Sequence, residues 1–244
     1  MSEQHESEPA RRPEKIKQHK EPGTPPSHPE RLLYWSVRGA IAIACRLWFR
    51  LEIRGREHLP EGPFVLSPIH RSNLDFAIAC SITPRRMRFL GKDTIWKTAW
   101  MGRIWDALGA IPVHRGSPDR DALKACVAVV RAGEPLVVFP EGTRQVGPKV
   151  CEFYDGPAFV QARTGVPIVP VGIGGSEGAM PKGAKFPKPR KVIVVIGTPL
   201  SAPERTESGV VRRAGVREQT ARLSEVIQAL FDEAQVAAGT PNMA

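Results

Sequence analysis

His70 and Asp75 stand at the two ends of the stretch His70-Arg71-Ser72-Asn73-Leu74-Asp75, directly after an apolar run at residues 64–69. If that run is a strand and Asn73 opens a helix, the imidazole sits at a strand end and the carboxylate in the first helical turn. Histidine, with an ordinary pKa near ~6.5, can accept a proton at neutral pH, and a neighbouring carboxylate fixes its tautomer and stabilises the imidazolium. Such a pair suits deprotonation of a hydroxyl. A second reading fits the same spacing: Ser72-x-x-Asp75 is the pattern of a helix capping box, in which the carboxylate serves the helix N-terminus. Spacing alone leaves both open.

Val137-Val138-Phe139-Pro140-Glu141-Gly142-Thr143-Arg144 reads as a buried strand that ends in a loop. Gly142 lets backbone N–H groups approach a ligand closely, and Arg144 supplies a planar fork suited to phosphate. The segment is therefore either an anion subsite or a plain strand-to-loop turn with a surface arginine. Gly109-Ala110-Ile111-Pro112-Val113-His114-Arg115 offers a second strand-end arginine with the same two readings. Gly174-Gly175-Ser176-Glu177-Gly178 matches the Gly-x-Ser-x-Gly nucleophile elbow of hydrolases. That elbow needs a helix immediately after it, whereas Pro181, Gly183, Pro187 and Pro189 predict a loop, so Ser176 reads as a turn residue.

The elements that must position these groups follow from periodicity. Candidate strands are residues 64–69, 87–91, 110–114, 136–139, 167–173 and 192–197; helical patterns fall at 73–81, 94–108, 118–132, 156–164 and 210–237. This alternation predicts an α/β fold with a central mixed, largely parallel sheet flanked by helices, whose carboxyl strand ends form the binding edge. Length limits the chain to one full-sized domain: 244 residues. Residues 1–28 are rich in Glu, Lys, Pro, Ser and His with few apolar side chains, and read as a disordered tail.

Residues 29–54 carry an amphipathic helix. Leu33, Val37, Ala40, Ile43, Ala44, Leu47 and Trp48 share one face, while Arg31, Arg38, Arg46 and Arg50 gather on another. Crossing a bilayer would bury Arg38 and Arg46 at about 2.5 to 3.5 kcal/mol each, so the helix is expected to lie at a membrane surface or to pack on the core, or both on different faces. All five tryptophans fall in this helix or in the 94–108 pattern, which fits headgroup depth or core filling.

The formal net charge is +10, yet residues 1–30 hold six Glu against five Lys or Arg, so the excess lies in the body and favours anionic partners. Lys182, Lys185, Lys188, Arg190 and Lys191 form an acid-free run that reads as a solvated loop or a lipid-headgroup patch. No nucleic-acid signature accompanies it. Cys45, Cys80, Cys126 and Cys151 lack zinc-site spacing and read as reduced thiols.

Taken together, the motifs resemble the glycerolphosphate acyltransferase family, which includes the 1-acylglycerol-3-phosphate acyltransferases and has four blocks in fixed order. Here these are residues 70–75, 109–115, 139–144 and 166–171, and the likeness covers residues 32–200. Phe-Pro-Glu-Gly-Thr-Arg downstream of His-x-x-x-x-Asp is highly specific. The resemblance implies an acyltransferase domain at 55–238 with His70 as general base and Asp75 orienting it. It implies Arg115 on the acceptor phosphate and Glu141, Gly142, Thr143 and Arg144 shaping that subsite. Ile69 stands where the family often has asparagine, and Gln145 where serine is frequent. The implied reaction moves a fatty acyl group from acyl-CoA or acyl carrier protein to lysophosphatidate or glycerol 3-phosphate. It calls for no metal or cofactor, and it implies an anionic membrane surface at the cytoplasmic face of the cell membrane as a partner.

Overall fold

The computed structural model describes residues 24–92, 96, 98–113, 120–207 and 211–242. Most of the expected tail, the segment carrying His114 and Arg115, and the first residues of the 94–108, 118–132 and 210–237 helical patterns lie outside the described residues.

Strands β1 (Glu52–Arg54), β2 (Val65–Pro68), β3 (Arg88–Lys92), β4 (Ala110–Val113), β5 (Leu136–Val137), β6 (Ile168–Gly174) and β7 (Ile193–Ile196) form one sheet in the order β1-β7-β6-β2-β5-β3-β4. Every pair is parallel except β6–β7, so the sheet is mixed and largely parallel, as expected. The central strands are buried along their whole length, which is why β2, β6 and β7 read as near-continuous apolar runs instead of alternating. Strand β1 was not expected. Its three residues include Glu52 and Arg54, too short and too charged to register as a strand, and they pair parallel to β7 at the sheet edge. The sequence reading had placed them with the first helix.

Helices α1 (His28–Trp48), α2 (Leu74–Ile82), α3 (Ala99–Ala107), α4 (Arg120–Arg131), α5 (Gly156–Thr164), α6 (Ser176–Ala179) and α7 (Arg213–Ala238) complete the described fold. Helix α7 turns Leu223, Ile227, Phe231 and Ala234 onto β6 and β7. Only glycine fits beneath it: a Cβ on Gly172 would lie 2.3 Å from the Leu230 backbone, and one on Gly174 would lie 2.2 Å from that of Ala234.

Helix α1 does two things on two faces. Tyr34, Arg38 and Cys45 face the domain: the Tyr34 hydroxyl accepts from Met87 N at 3.1 Å, and the Arg38 guanidinium donates to Thr83 O at 2.6 and 3.1 Å. Arg38 is thus anchored on the domain and does not belong to a free basic face. Leu32, Ile43, Leu47 and Trp48 are exposed. Among the described residues no helix is long and apolar enough to cross a membrane. Trp96 is half-buried and donates to Asp106 Oδ1 at 2.9 Å, whereas Trp100 is exposed.

Candidate active site

Strands β2, β5, β3, β4 and β6 all point their carboxyl ends to one edge, which brings the chemistry-bearing segments together. Past β2, Ile69 N still bonds Val171 O at 3.1 Å, and His70 is the first residue to leave the ladder. Its Nδ1 lies 3.1 Å from Asp75 Oδ2. The same oxygen accepts from Arg71 N at 2.6 Å and Ser72 N at 2.7 Å. The geometry accommodates both sequence readings of Asp75: one carboxylate oxygen gathers the N–H groups ahead of α2, half of the capping-box pattern, and also meets the imidazole. Asp75 is completely buried, whereas the His70 side chain keeps 13% of its surface open. Nδ1–H donating to a carboxylate leaves the lone pair on Nε2, the tautomer a general base requires. Phe139 stacks on the ring with centroids 4.2 Å apart and fixes its plane.

The segment after β5 clamps the histidine from behind. Glu141 Oε2 accepts from His70 N at 2.9 Å, and Gln145 N donates to His70 O at 2.9 Å. Glu141 Oε1 meets Arg71 Nη1 at 2.6 Å and Cys151 N at 3.2 Å. Glu141 and Arg71 are both buried, Arg71 Nη2 donates to Lys149 O at 2.7 Å, and the guanidinium lies over Phe231 of α7. With both oxygens turned into the protein, the Glu141 carboxylate holds the histidine in place and offers no face to an acceptor. Arg71 was passed over in the sequence because it reads as a spacer between His70 and Asp75. A basic residue inside one block with a glutamate in another was the available signal.

Gly142 turns the loop with φ of 65°, and a Cβ there would come within 2.9 Å of the Tyr154 ring. Thr143 is exposed and Arg144 half-buried, and Arg144 has no hydrogen-bond or ion-pair partner among the described residues. It is a free cation on the loop that grips His70. Arg115 lies outside the described residues; β4, which leads to it, ends at the same edge. Among the described residues no cluster of three His, Cys, Asp or Glu could hold a metal ion.

The segment around Ser176 departs from expectation in one respect. Where a loop was predicted, Gly175 in the left-handed region starts the single helical turn α6. The Ser176 hydroxyl is nonetheless buried and has no hydrogen-bond partner among the described residues, whereas an activated serine needs a base within hydrogen-bond reach.

A strand-end histidine held by a buried carboxylate and gripped by a Phe-Pro-Glu-Gly-Thr-Arg loop matches a known class. Residues 50–174, half of the chain, match the family model described as Acyltransferase, and the chain belongs to that family. It is similar to the chloroplastic 1-acyl-sn-glycerol-3-phosphate acyltransferase BAT2 of Brassica napus, 32% identical over 148 residues, 59% of this chain and 43% of that protein. The 1-acyl-sn-glycerol-3-phosphate acyltransferase of Bacillus subtilis is 24% identical over 69% of this chain and 82% of its own length. This chain thus spans less than half the length of the Brassica relative. In fold it resembles the 1-acyl-sn-glycerophosphate acyltransferase PlsC of Thermotoga maritima, with a TM-score of 0.68 at 23% identity, over 82% of this chain and 78% of that one.

Proposed function

We propose that this chain transfers a fatty acyl group from a thioester donor, acyl-CoA or acyl carrier protein, to a hydroxyl of lysophosphatidate or glycerol 3-phosphate. The observation that carries this reading is the His70–Asp75 pair, with its oriented Nδ1 and open Nε2, at the sheet edge. The names of the plant and bacterial relatives favour lysophosphatidate as acceptor. In this mechanism Nε2 takes the hydroxyl proton as that oxygen attacks the thioester carbonyl carbon. The C–S bond then breaks, and the leaving thiolate collects the proton from the imidazolium, so no acyl-enzyme forms. Asp75 stabilises the imidazolium, Glu141 and Arg71 hold the histidine backbone, and Arg144 with Gly142, Thr143 and Arg115 receives the acceptor phosphate.

The domain comprises β1 together with residues 55–238, and the helix of the 29–54 segment docks it on an anionic membrane at the cytoplasmic face. The exposed apolar face of α1 supports that docking. The test is thiol release from a long-chain acyl-CoA by the full chain in detergent, with lysophosphatidate, glycerol 3-phosphate or no acceptor. Acceptor-dependent release that disappears in His70→Ala is expected. Release that persists in His70→Ala, or that needs no acceptor, would overturn the proposal. If acyl-CoA gives no release, acyl carrier protein takes its place as donor.

A further inference from the structure

The end of α1, the turn at Arg50, β1 and the last turn of α2 border an open cavity of about 550 Å³. This is a volume typical of small-ligand sites, which span roughly 300–1,000 Å³. It is separate from the catalytic pair: Ser81, which lines it, comes six residues after Asp75, about 9 Å along α2. Three exposed arginines, Arg46, Arg50 and Arg56, line it together with Leu51 and Ile53. None of the three guanidinium groups has a hydrogen-bond or ion-pair partner among the described residues. Arg38, Arg54, Arg71, Arg85 and Arg86, by contrast, all do. The one acid in the wall, Glu52, is already neutralised: Arg54 Nη2 lies at 2.6 Å and Lys191 Nζ at 3.4 Å, and these contacts, Arg54's first, hold its carboxyl below the usual range. The cavity therefore presents an uncompensated positive field.

Arg50 adds a second feature. Its φ of 47° makes it the only non-glycine among the described residues in the left-handed region, which glycine would enter freely. A guanidinium-bearing residue thus stands where the backbone alone favours glycine.

We propose that this cavity binds the phosphate of an anionic phospholipid headgroup, at a site distinct from the acceptor subsite. Three arginine forks suit phosphate oxygens. The source is a bilayer and not a free phosphate because Ile43 and Leu47, each one residue beyond cavity-lining Ala42 and Arg46, are 61% and 75% exposed. A lipid held by its headgroup lays its chains along that stripe. The inference rests on the membrane docking proposed above.

The experiment is vesicle co-sedimentation of the full chain at physiological salt, with phosphatidylglycerol vesicles against neutral phosphatidylcholine. Wild type is compared with Arg46→Lys/Arg50→Lys/Arg56→Lys, which keeps the charge, and with the corresponding triple glutamine variant. The glutamine variant is expected to lose about a hundredfold in affinity for anionic vesicles. The lysine variant should lose at least about tenfold, because a point charge cannot replace the forks. Lysine binding equal to wild type would leave only a diffuse field and overturn the site. Wild type that ignores anionic vesicles would overturn the docking reading and the lipid source with it. Arg50→Gly separates fold from ligand: it should raise the melting temperature while weakening sedimentation, and a variant that sediments as wild type overturns the role of Arg50. Thermal stabilisation by soluble glycerol 3-phosphate that is lost in the triple variants, without vesicle binding, would reassign the cavity to a free phosphate ester.

Discussion

Replacing Glu141 with Gln distinguishes a substrate-binding carboxylate from one that builds the site. Glu141 is buried and accepts three hydrogen bonds, from His70 N, Arg71 Nη1 and Cys151 N. Glutamine keeps the shape but removes the charge and puts a donor where an acceptor stood. The buried Arg71 guanidinium loses its counter-charge, a change that costs about 3–5 kcal/mol when one partner of a buried pair is removed. For a chain of this size each kcal/mol shifts the midpoint by about 2–4 °C, so Glu141→Gln should melt about 6–20 °C below wild type. The assay is thermal and urea unfolding beside steady-state kinetics. We expect kcat to fall, since His70 loses its backbone anchor, with little change in acceptor KM. A double variant Arg71→Met/Glu141→Gln should lose about 0.5–3 kcal/mol less than the sum of the single losses. Wild-type stability together with a raised acceptor KM would refute the positioning role and return Glu141 to the acceptor subsite.

Gly142→Ala forces a side chain into the left-handed region, about 1–2 kcal/mol by sterics alone, and drives its Cβ against Tyr154. Urea unfolding should show that loss, with Tyr154→Ala in the same background restoring only the part due to the ring. Gly172→Ala and Gly174→Ala place a methyl against α7 backbone and should abolish soluble expression, or cost more than about 4 kcal/mol if folded protein is recovered. Alkylation under native conditions followed by mass spectrometry should modify Cys151 first. Cys45, Cys80 and Cys126 are buried, and burial pushes the Cys80 thiol up to about 12, so it stays protonated and inert until the chain unfolds. Burial likewise raises the Tyr34 phenol from 10.0 to about 12. Its stabilising contribution is present below pH 10 and lost between 10 and about 12, a fall that Tyr34→Phe should remove from the alkaline unfolding profile.

Much was already legible in the residues. Periodicity and apolar runs located most strands and helices, because burial on both faces of a parallel strand and on one face of a helix leaves a direct trace in composition. His70, Asp75 and the 139–144 loop were visible because their types and order are specific. Strand β1 was not legible, since its pairing with β7 depends on hydrogen bonds that charged side chains neither favour nor forbid. Helix α6 was missed because the prolines that argued against it come after its single turn.

The sequence by itself determined the family and the fold class and singled out the candidate residues, all of which follow from local pattern and order along the chain. Only the tertiary structure decided which partners each described candidate meets. It turned one Asp75 oxygen onto both the imidazole and the N–H groups ahead of α2, and it turned Glu141 inward onto Arg71. It left Arg144 without a hydrogen-bond or ion-pair partner among the described residues. The physical reason is that a side chain's role depends on which partners burial gives it, and for Glu141 those partners lie about 70 residues away along the chain.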